Sequence, residues 1–190
     1  MSNSAQPYVN EIVIGDNASS WRKAGFSVGE DATLELGGVT LRFVGEAAGR
    51  GILSWGLSWS TTSSIDGLKT TVVKERKRGN TRRSLEEHAN TGFGIDHIVL
   101  ASTHVHRTAE ILAQSGLVVK RASKSDSGWI QYFFKTNIII ELVGPDNDEN
   151  AAADAPAKFW GLTVAVHDID TLKTKLREYT GQMFGWISMI

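Results

Sequence analysis

The chain repeats itself, and that repeat restricts the available folds more than any other feature. E-I-V-I-G-D at 11–16 is echoed by H-I-V-L-A-S at 97–102, Gly25-Phe26 by Gly116-Leu117, and V-T-L-R-F-V-G at 39–45 by I-I-I-E-L-V-G at 138–144. S-W-G-L-S at 54–58 matches F-W-G-L-T at 159–163, and I-D-G-L-K-T at 65–70 matches I-D-T-L-K-T at 169–174. Echoes that recur in one order mark two copies of one supersecondary unit, which buries its apolar face against a neighbour.

Each copy reads as strand, helix, then a meander of strands. Tyr8 to Ile14 is a strand, and Ala18 to Ala24 a short helix closed by Gly25. Phe26–Val28, Thr33–Leu36 and Val39–Val44 follow as strands, the last two joined at Gly37-Gly38 as a two-residue hairpin. Ile52 to Trp59 alternates, with Trp55, Leu57 and Trp59 on one face. The second copy opens with a strand at Ile95, a helix over Arg107–Gln114 that stops at Gly116, and a strand over Leu117–Val119. A hairpin of Trp129–Phe134 and Asn137–Val143 leads to an acidic, alanine-rich loop over 145–156. A strand over Phe159–Val166 and an amphipathic helix over Ile169–Tyr179 complete the reading.

The stretch between the copies is polar, and Lys74 to Arg83 carries six basic residues and one Glu. It reads as a solvated loop or frayed helix, or else as a patch that contacts phosphate. No aromatic residue is interleaved in it, as a single-strand stacking platform requires, so it is taken as a connector. The expected segmentation is a shortened module over 1–60, a charged connector over 61–93, and a fuller module plus the start of another over 94–190, all in one structural domain.

Composition narrows the function classes. Twenty Lys plus Arg against 21 Asp plus Glu leave a net charge of −1, so no bulk field points to nucleic acid or to a membrane surface. The absence of cysteine removes disulfides, thiolate nucleophiles and thiolate metal ligands, and fits a reducing cytoplasm, the expected location. Ile12-Val13-Ile14 is too short for a signal-peptide core, and no apolar run reaches the roughly 18 residues of a spanning helix. No G-x-S-x-G, P-loop or dinucleotide fingerprint occurs.

A βαβββ unit with D-H-I-V-L, a helix beginning near Arg107-Thr108, an E-L-V-G hairpin strand and a later F-W-G-L strand resembles the glyoxalase-like domains of the vicinal oxygen chelate superfamily. The likeness covers about residues 8–176 and is strongest over Gly94–Asp170. It implies an α+β fold in which paired βαβββ modules form curved, antiparallel-rich sheets around a cup, with helices outside. The superfamily's branches share this fold across several reactions, so the resemblance speaks to architecture before chemistry.

In metal-using members one module gives a His from its opening strand and a Glu from its last. His97 and Glu141 fall on those positions, which implies a divalent metal (Zn, Fe, Mn or Ni) held by both, with Glu141 also catalytic. Glu141 lies within I-I-I-E-L-V, where an ionised carboxylate facing a core needs a partner or a metal. The other reading puts Glu141 on the wet face of the sheet and has His97 bonding Asp96 or a backbone carbonyl. Elsewhere the pattern is thinner. Gly161, which has no side chain, holds the position corresponding to His97 in the later strand, and the first copy has Glu11 and Arg42, a natural ion pair, where the second has His97 and Glu141.

Six aromatics, Trp55, Trp59, Trp129, Tyr132, Phe134 and Trp160, fall in the strands of the expected cup, either as core or as lining for a small apolar or planar ligand. Three functions stay open. One is a metal-assisted lyase, isomerase or dioxygenase acting on a small oxygenated substrate. Another is a small-molecule-binding domain without chemistry. The third is an assembly subunit, a homodimer, because the tail G-Q-M-F-G-W-I-S-M-I lacks strands to close the last module and an open edge invites a second copy.

Overall fold

The computed structural model describes residues 7–73, 88–149, 152–178 and 187–189. In the first half, β1 (Val9–Gly15) leads to α1 (Ala18–Lys23), β2 (Thr33–Leu36), β3 (Val39–Phe43), β4 (Gly51–Leu57), β5 (Ser64–Ile65) and β6 (Leu68–Val72). The second half runs through β7 (Gly92–Ala101), α2 (Val105–Gln114), β8 (Val119–Lys124), β9 (Trp129–Lys135) and β10 (Ile139–Pro145). It continues with β11 (Lys158–Val166), α3 (Ile169–Glu178) and β12 (Ile187–Met189). The basic run Lys74–Arg83 lies outside the described residues.

The strands form two six-stranded sheets, ordered β2-β3-β1-β4-β6-β5 and β12-β11-β7-β10-β9-β8. Written in opposite directions, they share a run of five strands, β2-β3-β1-β4-β6 and β9-β10-β7-β11-β12. β1 is parallel to β3 and antiparallel to β4, as β7 is to β10 and β11, and β6 and β12 run parallel to β4 and β11. The α+β architecture of paired modules is therefore present.

The helix ends explain the first departure from the sequence expectation. Phe26 N–H bonds Trp21 C=O and Gly25 N–H bonds Arg22 C=O; Leu117 and Gly116 do the same with Leu112 and Ala113. These are matched Schellman closures, with Gly25 and Gly116 at positive φ. Phe26 and Leu117 are thus buried cap residues and not strand residues, so Phe26–Val28 forms no strand and β8 starts only at Val119. The second departure is that the first sheet continues past residue 60. Leu68 and Thr70 are buried on β6, which extends the sheet beyond β4 through the stretch read as connector. In the tail, β12 adds a strand to β11.

Ile12, Ile14, Leu34, Leu41 and Trp55 of the first sheet share one core with Ile98, Leu100, Ile140 and Leu142 of the second. Trp55 meets Phe159 edge-on at 5.3 Å, which ties β4 to β11. At the turn between β5 and β6, Asp66 accepts hydrogen bonds from Arg107 and Thr108 of α2. The turn between β2 and β3 rests on β7, where a Cβ on Gly37 would meet Gly94 Cα at 3.0 Å. Among the described residues no helix is long and apolar enough to cross a membrane.

Candidate functional site

Strand register decides which side chains meet. Glu141 on β10 lies opposite Val99 of β7 and Phe133 of β9, and His97 on β7 lies opposite Thr163 of β11. Alternation places His97, Glu141, Gln131, Phe133 and Thr163 on one face of the second sheet. The opposite face carries Ile98, Leu100, Ile140 and Leu142, all fully buried.

Asp96 joins this face through a defect in the ladder. Thr163 and Val164 oppose His97 and Ile95, so Asp96 is an extra residue in β7, a β-bulge. Neighbours in a regular strand point apart. Here Asp96 Oδ2 lies 2.7 Å from His97 Nδ1. His97 Nε2 lies 2.9 Å from Thr163 Oγ1 and 3.6 Å from Glu141 Oε2, while Gln131 Nε2 donates to Glu141 Oε1 at 2.7 Å. An ionised carboxylate only accepts, so neutral His97 keeps its proton on Nδ1 and its Nε2 receives the Thr163 hydroxyl.

The first sheet repeats the geometry with other chemistry. Asn10 is the matching bulge of β1, between Val9 and Glu11. Glu11 and Arg42 form the ion pair their types suggest, with Arg42 Nη2 and Nε at 2.5 and 3.0 Å from Glu11 Oε1.

The six aromatics do not gather on the face of His97 and Glu141. Trp55 and Phe134 are fully buried in the core. Tyr132 reaches α2, where its hydroxyl sits 2.8 Å from His106 Nδ1; burial pushes that hydroxyl's pKa up, and the charges of Asp146 and Glu110 add to the shift. Trp59 is partly buried beyond the end of β4, and Trp160 is largely exposed. Only Trp129, about half exposed, shares the strand face of Gln131 and Phe133.

Comparison with solved structures gives the architecture its place. A xylose isomerase-like TIM barrel/4-hydroxyphenylpyruvate dioxygenase fusion protein superposes with a TM-score of 0.57 and 12% identity, over 92% of this chain and 39% of that one. An extradiol ring-cleaving dioxygenase from B. fuscum superposes with a TM-score of 0.51 and 14% identity, over 93% of this chain and 62% of the dioxygenase. The fold is that of the vicinal oxygen chelate superfamily. The chain spans less than two thirds of either neighbour's length, and identities this low bear on the fold alone. No protein-family model and no curated protein matches the sequence.

Within a vicinal oxygen chelate fold, β7 and β10 are the first and last strands of the second module, and β11 opens the next. The residue facing His97 from β11 is Thr163, not Gly161, which faces Val99 instead. A catalytic zinc takes three protein ligands as a rule. Among the described residues no group of three or more His, Cys, Asp and Glu side chains is placed to hold a metal ion. Residues 179–190 contain none of these four types. Among the described residues a resident metal therefore finds two charged or imidazole donors here and a neutral hydroxyl at the third corner.

Proposed function

We propose that the protein binds a small molecule on the cup face of its second half, through His97, Glu141, Gln131 and Thr163, and without a resident metal. The observation that carries this reading is the convergence of His97 Nε2 and Glu141 Oε2 at 3.6 Å on a partly open face. Thr163 completes the group with a hydroxyl that donates to His97 Nε2 and keeps lone pairs to accept from a ligand. A few placed polar groups on a concave, mainly apolar surface are the usual make-up of a small-molecule site. The test is a fragment screen by amide-shift NMR on uniformly labelled protein. Shifts clustered at residues 96–99, 131–133, 141 and 161–163 are expected, and hits that never map there would overturn the reading.

A metal-assisted enzyme of the glyoxalase-like type, with His97 and Glu141 as ligands and Glu141 at the chemistry, is the second reading. Asp96 supports it, because a carboxylate on the far nitrogen is the usual partner of a metal-bound histidine. Metal analysis decides between the two. One equivalent of metal in the purified protein, lost in both His97→Ala and Glu141→Ala, would replace the first reading with the second.

A further inference from the structure

The two halves place charge differently at the same positions. In the first, Glu11 on β1 meets Arg42 on β3, and the pair is neutral. In the second, His97 replaces Glu11, and Glu141 replaces Arg42. The bulge residue Asn10 becomes Asp96, which adds a second carboxylate. Among the described residues no Lys or Arg forms an ion pair with Glu141 or Asp96; His97 is the ion-pairing partner of each. Even a protonated His97 carries one positive charge against two negative ones. Glu141 is only 14% exposed at its side chain, so water compensates it poorly.

We propose that the cup face binds an organic cation, a guanidinium or primary ammonium head group, in the place that the Arg42 guanidinium fills in the first half. This rests on the reading of the face as a small-molecule site and names its ligand class. Gln131 occupies Glu141 Oε1 and Thr163 donates to His97 Nε2, which leaves Glu141 Oε2 and the Thr163 hydroxyl oxygen as acceptors for forked N–H donors. Phe133, directly across from Glu141, offers an aromatic surface beside them. That ring already carries a cation, since the Arg121 guanidinium lies 5.6 Å from its centroid. A divalent metal would answer the same charge but lacks a third such donor among the described residues, so it serves as an outcome of the test.

The experiment titrates full-length protein with benzylammonium, phenylguanidinium, benzoate and Zn²⁺, each with and without EDTA, read by calorimetry and amide shifts. Both organic cations are expected to bind at the cup, unaffected by EDTA, and benzoate to bind far more weakly. Glu141→Gln, nearly isosteric, is expected to weaken the cations by at least about tenfold while keeping its dichroism spectrum and melting temperature. Asp96→Asn, which removes the other carboxylate from a more exposed position, provides a second variant and is expected to weaken them less. Cations that bind Glu141→Gln as tightly as wild type would overturn the proposal, as would organic-cation binding that EDTA abolishes. Benzoate shifting the cup in place of the cations would sink the cation assignment and leave the binding site standing. No shift at the cup from any probe would remove both.

Discussion

Asn137 holds both backbone groups of Val9. Its Oδ1 accepts the Val9 N–H at 2.7 Å and its Nδ2 donates to the Val9 carbonyl at 3.1 Å, so a carboxamide from the turn between β9 and β10 acts as a strand partner for β1. Val9 is fully buried, and the two residues lie in different copies of the repeat. Asn137→Ala should cost about 1–3 kcal/mol for each buried group left without a partner. Asn137→Asp should not restore the loss, because a carboxylate cannot donate to the carbonyl. Urea unfolding would show this as a lower midpoint at unchanged slope. A midpoint equal to that of wild type would mean that the halves do not depend on this link.

Trp55 and Trp160 show which features a sequence reveals and which it hides. Alternation and glycine punctuation are local, and they suffice for the two modules, the helix ends and the hairpin at Gly37-Gly38. Register across a bulge is set by pairing with another strand. S-W-G-L-S and F-W-G-L-T align by letter, but Trp55 lies opposite Ile12, and the residue opposite the matching Ile98 is Leu162. Trp160 is instead the extra residue of a bulge in β11, the counterpart of Leu53 in β4. The two-residue slip also hid Thr163 behind Gly161; the contact of His97 with Asp96 was one of the readings the sequence offered, while the bulge that permits it was not legible. Gln131 gave no signal at all, since only the β9–β10 pairing brings it beside Glu141. Strands β5 and β12 are two and three residues long and exist through their neighbours.

The same register makes a paired prediction. Trp55 is fully buried, donates Nε1–H to Thr70 Oγ1 at 2.9 Å and packs on Phe159. Trp55→Ala should cost about 3–5 kcal/mol, as truncating a buried aromatic does. Trp160 is 59% exposed, and Trp160→Ala should stay within about 0.5 kcal/mol of wild type. Equal losses in urea unfolding would contradict the assigned bulge.

Two glycines of the second half should respond very differently. A Cβ on Gly144 would lie 2.0 Å from the Ser102 carbonyl oxygen and 3.0 Å from Val105 Cβ, against backbone that cannot yield cheaply. Gly144→Ala should displace the start of α2 from the end of β10 and destabilise by about 3 kcal/mol or more, beyond the usual cost of overpacking. A Cβ on Gly94 meets only Gly37 Cα, at 3.9 Å, which is ordinary contact. Gly94→Ala should be close to neutral. Thermal melts of both variants test the contrast, and a Gly144→Ala protein that melts with wild type would refute it.

The loop between β10 and β11 is fastened by His104, and its hold should depend on pH. His104 Nδ1 lies 2.7 Å from Asp148 Oδ2 and Nε2 lies 2.7 Å from the Ala152 carbonyl oxygen. Both partners only accept, so both contacts require the doubly protonated ring. The Ala152 carbonyl, and after it the Asp148 carboxylate, raise the His104 pKa, while partial burial and the charge of Arg107 oppose them. The hydrogen bond from His104 in turn lowers the pKa of Asp148. Beside this pair, Arg107 is held by Asp66, and His106 and Lys124 both contact Asp146. The sign follows from the directions. A folded-state value raised above the ordinary histidine pKa of about 6.5 gives stabilisation that is full below that pH and disappears as pH climbs through the raised value. Asp148, with its value lowered, contributes above the ordinary carboxylate range and loses that contribution as pH falls through the lowered value. The fastening therefore holds in a window bounded by Asp148 on the acid side and His104 on the alkaline side. Amide-exchange protection factors for residues 146–149 and 152–157 should fall in wild type as pH rises from about 6.5 through the raised His104 value. His104→Gln cannot carry the charge or donate from both sides, and should show low protection with a flat profile. Protection in wild type that does not change across that range would show that His104 is not what holds the loop.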